Sequence, residues 1–144
     1  MCALKRPYDK PSDRTTLESL AVAHIVSAFE GGRVELASSS VMELENSMNP
    51  EAERRDEIAD FLGRIRIVAR TEPGLLRRGR EIEAFGLRPL DALHVASAEG
   101  AGCDYFVSCD DQLLASAGRA AGKLNVRALD PLSMVKILEG ADEP

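Results

Sequence analysis

Four short apolar runs constrain this chain most: "RVELASS" (33–39), "IRIVART" (65–71), "YFVSC" (105–109) and "NVRAL" (125–129), each separated from the next by segments of helical character. Runs of this length suit strands rather than helices, and parallel strands need crossovers long enough to hold a helix. Short apolar strands alternating with helices therefore predict a parallel sheet covered on both faces. The expected class is α/β, a three-layer fold with a mostly parallel central sheet and helices on both faces.

The helical segments carry their own punctuation. "SDRTTLESLAVAHIVSAFEGG" offers Ser12 or Asp13 as an N-cap, apolar residues at 17, 20, 21, 25 and 28, and a closing Gly31-Gly32, so a helix apolar on most sides is expected. "SSVMELENSMN" is a helix capped by a serine and stopped before Pro50, and "PEAERRDEIADFLGRI" opens with Pro and acids and puts Ile58, Phe61 and Leu62 on one face. "EPGLLRRGREIEAFG" ends at Gly86, and "PLDALHVASAEGAG" opens at Pro89 and closes at Gly100 or Gly102. A helix from Asp110 to Ala117 and another from Pro131 to Glu139 complete the alternation.

At 144 residues the chain has room for a core without metal or disulfide staples, and a single domain over residues 1–144 is expected. The opening "MCALKRPYDK" is no secretory signal and no transmembrane span is present, so a cytoplasmic protein without membrane attachment is expected. Cys2, Cys103 and Cys109 have no paired spacing, and with two histidines they make no zinc site. The net charge of −6 argues against holding nucleic acid by bulk charge. Seven arginines between Arg64 and Arg88, against Glu72, Glu81 and Glu83, still make a local basic excess where a polyanion could dock, or a solvated helix face.

The acids at the edges of apolar structure bear on function. Asp110 follows "YFVSC" and opens a helix, which alone describes an N-cap. Asp91 lies in the first turn after Pro89, where the helix dipole favours an anion, and Glu43 lies one turn into the helix after "VELASS", with Glu45 nearby on another face. Singly, each has an ordinary structural role. Together they lie in or near the first turns of helices that follow, or pack beside, the carboxyl ends of strands, where α/β sheets bind ligands. Converging carboxylates repel one another unless a cation lies between them, and hard oxygen donors suit Mg²⁺ or Mn²⁺. His94, one turn beyond Asp91, could form an acid–base pair with it but reads more simply as a satisfied histidine packed in a helix. No GxSxG elbow, glycine-rich phosphate loop or aromatic platform is present.

"GLRPLDALHVASAEGAGCDYFVSCDDQLL" resembles the second half of PIN domains, in particular the VapC-type toxins of type II toxin-antitoxin pairs: an Asp opens an alanine-rich helix, and a later Asp follows an apolar strand. These positions fall on Asp91 and Asp110, with Ser108 where threonine is commoner. "LASSSVMELE" resembles the strand end and helix that carry the family's glutamate, which falls on Glu43, with Glu45 the fallback, and "LKRPYD" is also similar to one branch. The resemblance implies a ribonuclease that hydrolyses RNA phosphodiesters with Mg²⁺ or Mn²⁺. Glu43, Asp91 and Asp110 would be its catalytic metal ligands and the Ser108 hydroxyl would support them from behind. It further implies a homodimer restrained by a small antitoxin protein.

A PIN domain opens with a hydrophobic strand ending in its first acidic ligand, whereas "MCALKRPYD" resembles the stretch immediately after that acid. The resemblance therefore implies a first strand and first ligand missing by N-terminal truncation, and a natural start upstream; Asp9 is a poor substitute. The alternative is a catalytically inactive PIN-like module that only binds a partner. A receiver-type signalling domain is weaker, because Lys123 and Lys136 are not placed for it.

Overall fold

A computed structural model describes residues 13–140. In chain order, α1 (Asp13–Glu30) leads to β1 (Ala37–Ser39), α2 (Ser40–Ser47), α3 (Ala52–Gly63), β2 (Ile67–Ala69), α4 (Pro73–Ala84) and α5 (Pro89–Gly100). Then come β3 (Tyr105–Val107), α6 (Asp111–Arg119), a 3₁₀ turn (Ala121–Lys123), β4 (Arg127–Leu129) and α7 (Pro131–Gly140). The class is α/β, with every strand pairing parallel. All four strands fall inside the apolar runs, but "RVELASS" is extended with sheet pairing only over Ala37–Ser39.

One continuous central sheet was expected; the described residues form two ladders instead. β1 pairs with β2, Ser38 opposite Val68, and β3 pairs with β4, Phe106 opposite Ala128. The side chains of β3 are consequently half-buried rather than enclosed, and burial is reached only at Ser108 and Cys109 beyond the strand. Helix α5 joins the two halves, packing against β1, β2 and β3 as well as α2 and α4. It can do so because its core stripe is Ala92, Val95 and Ala96, small residues that are 0–2% exposed and admit close approach. The α4–α5 contact is closer still at Gly79, where an added Cβ would lie 2.9 Å from Leu93 Cδ2.

Local chemistry sets the ends of these elements. Ser39 ends β1 and caps α2, its hydroxyl accepting the Met42 amide at 3.0 Å. α4 and α5 each begin with proline, whose missing N–H costs nothing in a first turn. After them Gly86 and Gly102 take φ of 112° and 76°, a region costly for residues with a Cβ. α1 departs from expectation. Ala21 and Ala28 are buried, but so is Glu18 at 3%, while Leu17 and Leu20 are 51% and 64% exposed. Residues 18, 21, 25 and 28 fall on one helical stripe, and Ile25 and Ala28 join the cluster formed with Met134 and Leu138 of α7, so the stripe's N-terminal end carries Glu18 inward. The Ser12 cap lies outside the described residues, as does Asp9.

Candidate metal centre

Two of the expected acids meet. Asp91 is in the first turn of α5, and Asp110 is the N-cap of α6. Both reach one guanidinium: Arg88 Nε donates to Asp91 Oδ2 at 3.0 Å and Arg88 Nη2 donates to Asp110 Oδ2 at 2.7 Å. Asp110 divides its carboxylate. Its Oδ1 accepts the amides of Gln112 and Leu113 at 2.9 and 3.2 Å, which caps α6, while Oδ2 faces Arg88. Ser108 is buried and its hydroxyl accepts the Asp110 amide at 3.1 Å, so it fixes the backbone from which Asp110 projects. The structural reading of Asp110 as a cap and the functional reading as a cation ligand are thus served by different oxygens. The two carboxylates raise the pKa of Arg88, the Asp91 hydrogen bond foremost and Asp110 behind it, and so keep it charged.

Glu43 lies apart from that pair. It is exposed at the start of α2, and its Oε2 is 3.5 Å from Nη1 of Arg70, just beyond β2. Glu45 turns inward and meets His94 Nε2 at 2.7 Å, an interaction joining α2 to α5. His94 is 7% exposed and is the packed histidine that the sequence suggested, satisfied by Glu45 rather than paired with Asp91. Asp111 is a surface neighbour whose carboxylate receives the Arg14 guanidinium, Nη1 to Oδ2 at 2.7 Å; Arg14 also lies 3.3 Å from the buried Glu18.

Several arginines of the basic segment are engaged with acids. Arg70 meets Glu43, Arg88 meets Asp91 and Asp110, and Arg78 meets Glu81 and Glu99. Arg66, Arg77 and Arg80 are exposed.

Asp130 went unremarked in the sequence. It comes after β4 as Asp110 comes after β3, and an acid between a strand and a Pro-initiated helix was the available signal. Both of its oxygens serve Ser133, Oδ1 accepting the amide at 2.9 Å and Oδ2 the hydroxyl at 2.8 Å. Burial pushes its carboxyl up, but the Ser133 hydrogen bonds outweigh that and hold it below the usual range. Arg88 was counted only as one of a basic cluster; its role depends on a contact 22 residues away.

The donor chemistry suits a divalent ion at Asp91 and Asp110. Hard oxygens from two separate elements already converge on one cation, and a metal ion needs the same convergence. Among the described residues no group of three or more His, Cys, Asp or Glu is placed to hold a metal, so Glu43 does not complete a three-ligand set in this arrangement.

The chain is thus an α/β fold with parallel strands and two aspartates, in the first turn of α5 and at the cap of α6, held by one arginine. Residues 14–120 match the PIN domain family model, which covers well over half of the sequence, and the chain belongs to the PIN domain family. PIN domains are generally nucleases that use divalent metals. No curated protein and no solved structure matches the chain. No helix among the described residues is long and apolar enough to cross a membrane.

Proposed function

We propose that the protein is a Mg²⁺- or Mn²⁺-dependent ribonuclease of the VapC toxin type. The observation that carries this reading is the convergence of Asp91 and Asp110, from different elements, on a single cation in a PIN-family chain. Asp91 and Asp110 would hold the metal, and Glu43, at the end of the other ladder, would be the third ligand once freed from Arg70. Bound metal supplies a water made acidic enough to act as nucleophile, and neutralises charge building on the phosphate. The protein's own part is positional. Ser108 and the α6 amides fix Asp110, the first turn of α5 fixes Asp91, and exposed arginines such as Arg66 and Arg77 attract phosphates that the acids alone would repel.

The toxin reading brings a small antitoxin protein, a homodimer and a cytoplasmic setting. Leu17 and Leu20 on α1 and Leu44 and Met48 on α2, all more than half exposed, are the apolar surface available to such partners. The test is RNA cleavage with and without Mn²⁺: Asp91→Asn and Asp110→Asn abolish metal-dependent cleavage, and undiminished cleavage in both overturns the assignment. The lack of a three-ligand cluster among the described residues favours one other reading, a PIN-like module that binds a partner without catalysis. That reading gains if the folded chain takes up no Mn²⁺ at millimolar concentration.

A further inference from the structure

We infer that Arg88 is a built-in counter-cation that holds the two aspartates ready and competes with the divalent metal for the same two carboxylates. The inference rests on the metal-site reading above and goes beyond it by assigning the site an internal competitor.

The argument starts from atoms. Oδ1 of Asp110 is committed to two backbone amides, leaving Oδ2 as its outward oxygen, and that oxygen accepts Arg88 Nη2. Oδ2 of Asp91 accepts Arg88 Nε. The guanidinium therefore spans the two carboxylates and takes one oxygen from each. A divalent ion held between Asp91 and Asp110 needs oxygens from the same pair and places two further positive charges beside the arginine. Like charges at that separation repel strongly when the site is partly shielded from water, as it is around Asp91, whose side chain is 16% exposed. Arg88 can leave without unfolding anything. It is the N-cap residue of α5, contributes no side-chain cap to that helix, and its side chain is 52% exposed.

The same contact has a constructive side. Without a cation, two adjacent carboxylates would push apart. With Arg88 between them they stay convergent, so the ligand pair is pre-organised before metal arrives. Once displaced, the Arg88 guanidinium would have its fork of donors free for a phosphate oxygen pair. Arg88 is accordingly a positioning residue in the metal-free state.

Mn²⁺ binding to the full chain, measured by calorimetry and by the EPR signal of free Mn²⁺, tests this without any activity readout. Arg88→Gln removes the competitor and tightens Mn²⁺ binding by about tenfold, the factor that corresponds to removing about 1.4 kcal/mol of competition. Arg88→Lys, which keeps one charge but cannot span both aspartates, falls between Gln and the natural residue, and serves as the second variant if the glutamine form folds poorly. Arg14→Gln, which removes an equal charge beside the neighbouring Asp111, leaves Mn²⁺ affinity unchanged. The double variant Arg88→Gln with Asp91→Asn loses the gain. Equal Mn²⁺ affinity in the natural chain and Arg88→Gln overturns the inference while leaving the metal site standing. Absence of binding in both overturns the metal site and the competition together.

Discussion

Replacing Glu99 by glutamine should destabilise the fold by about 2–3 kcal/mol, far more than a surface charge change. Glu99 lies near the end of α5 with its side chain 7% exposed. Its Oε1 accepts Arg78 Nε at 2.7 Å and its Oε2 accepts Arg78 Nη2 at 3.1 Å, while Oε2 also accepts the Asn125 amide at 2.7 Å. One carboxylate thus ties α4, α5 and the approach to β4 together. Breaking a fully buried pair by removing one partner costs about 3–5 kcal/mol. Here a somewhat smaller figure applies, because Arg78 is 25% exposed and keeps Glu81 and the Lys123 carbonyl as partners. Glutamine can also still offer one acceptor to Asn125. In urea unfolding followed by far-UV circular dichroism at pH 7, a slope of about 1–3 kcal/mol per molar turns that loss into a midpoint lowered by about 0.7–3 M. Glu81→Gln, which touches the same arginine from an exposed position, should cost less than about 0.5 kcal/mol. The Arg78→Gln, Glu99→Gln double variant should cost little more than Glu99→Gln alone, since both remove one interaction. A Glu99→Gln effect no larger than that of Glu81→Gln, or strict additivity in the double variant, would refute the reasoning.

The remaining predictions concern single caps and the site. Asp110→Asn keeps an N-cap acceptor and should lose metal-dependent cleavage with little change in urea midpoint, whereas Asp110→Ala should lose cleavage and about 1 kcal/mol of stability as well. Asp130→Ala should cost about 1 kcal/mol at pH 7. Because its carboxyl is held below the usual range in the folded state, the ionised form stabilises the fold above that range, and the cost of the alanine variant should shrink as pH falls through and below it. Paired unfolding curves at pH 7 and pH 3 would show this, and a cost that grew on acidification would contradict it. Ser39→Ala should likewise cost about 1 kcal/mol by uncapping α2, read as a lowered thermal midpoint.

Local chemistry was legible in the sequence wherever a residue acts on its near neighbours. Pro89 opening α5, Ser39 capping α2, Asp110 capping α6 and glycines 86 and 102 closing helices all depend on contacts within a few residues. The expected placement of Asp91 and Asp110 at one end of the fold rests on the same local rules plus the strand that separates them. Contacts between distant segments were not legible. The burial of Glu18 is not legible because apolar residues at 17, 20, 21, 25 and 28 make the helix read as apolar on most sides, and packing of Ile25 and Ala28 against α7, more than 100 residues on, selects the buried stripe. The arginines of the basic segment read as a solvated helix face or a place for a polyanion, yet Arg78 and Arg88 find acids 21 and 22 residues away. Likewise, apolar composition marked "YFVSC" as a strand but could not say how many strands would flank it, which decides its burial.

The division of the strands into two ladders makes the spacing of the acids a property of the core. Glu43 rides on the β1–β2 side and Asp110 on the β3–β4 side, and no strand hydrogen bond among the described residues links the two ladders. Side-chain packing positions one relative to the other, through α5 with residues such as Ala92 and Val95 and through α1, whose Ala28 packs with α7 and whose Phe29 packs with α3. A hydrogen-bonded ladder fixes register in steps of whole residues, whereas side-chain packing can be adjusted by a methyl group at a time. If the proposed metal site is right, substitutions at Val95 or Ala96, buried side chains of α5, would act as fine adjustments of the separation between Glu43 and Asp110 without replacing either acid.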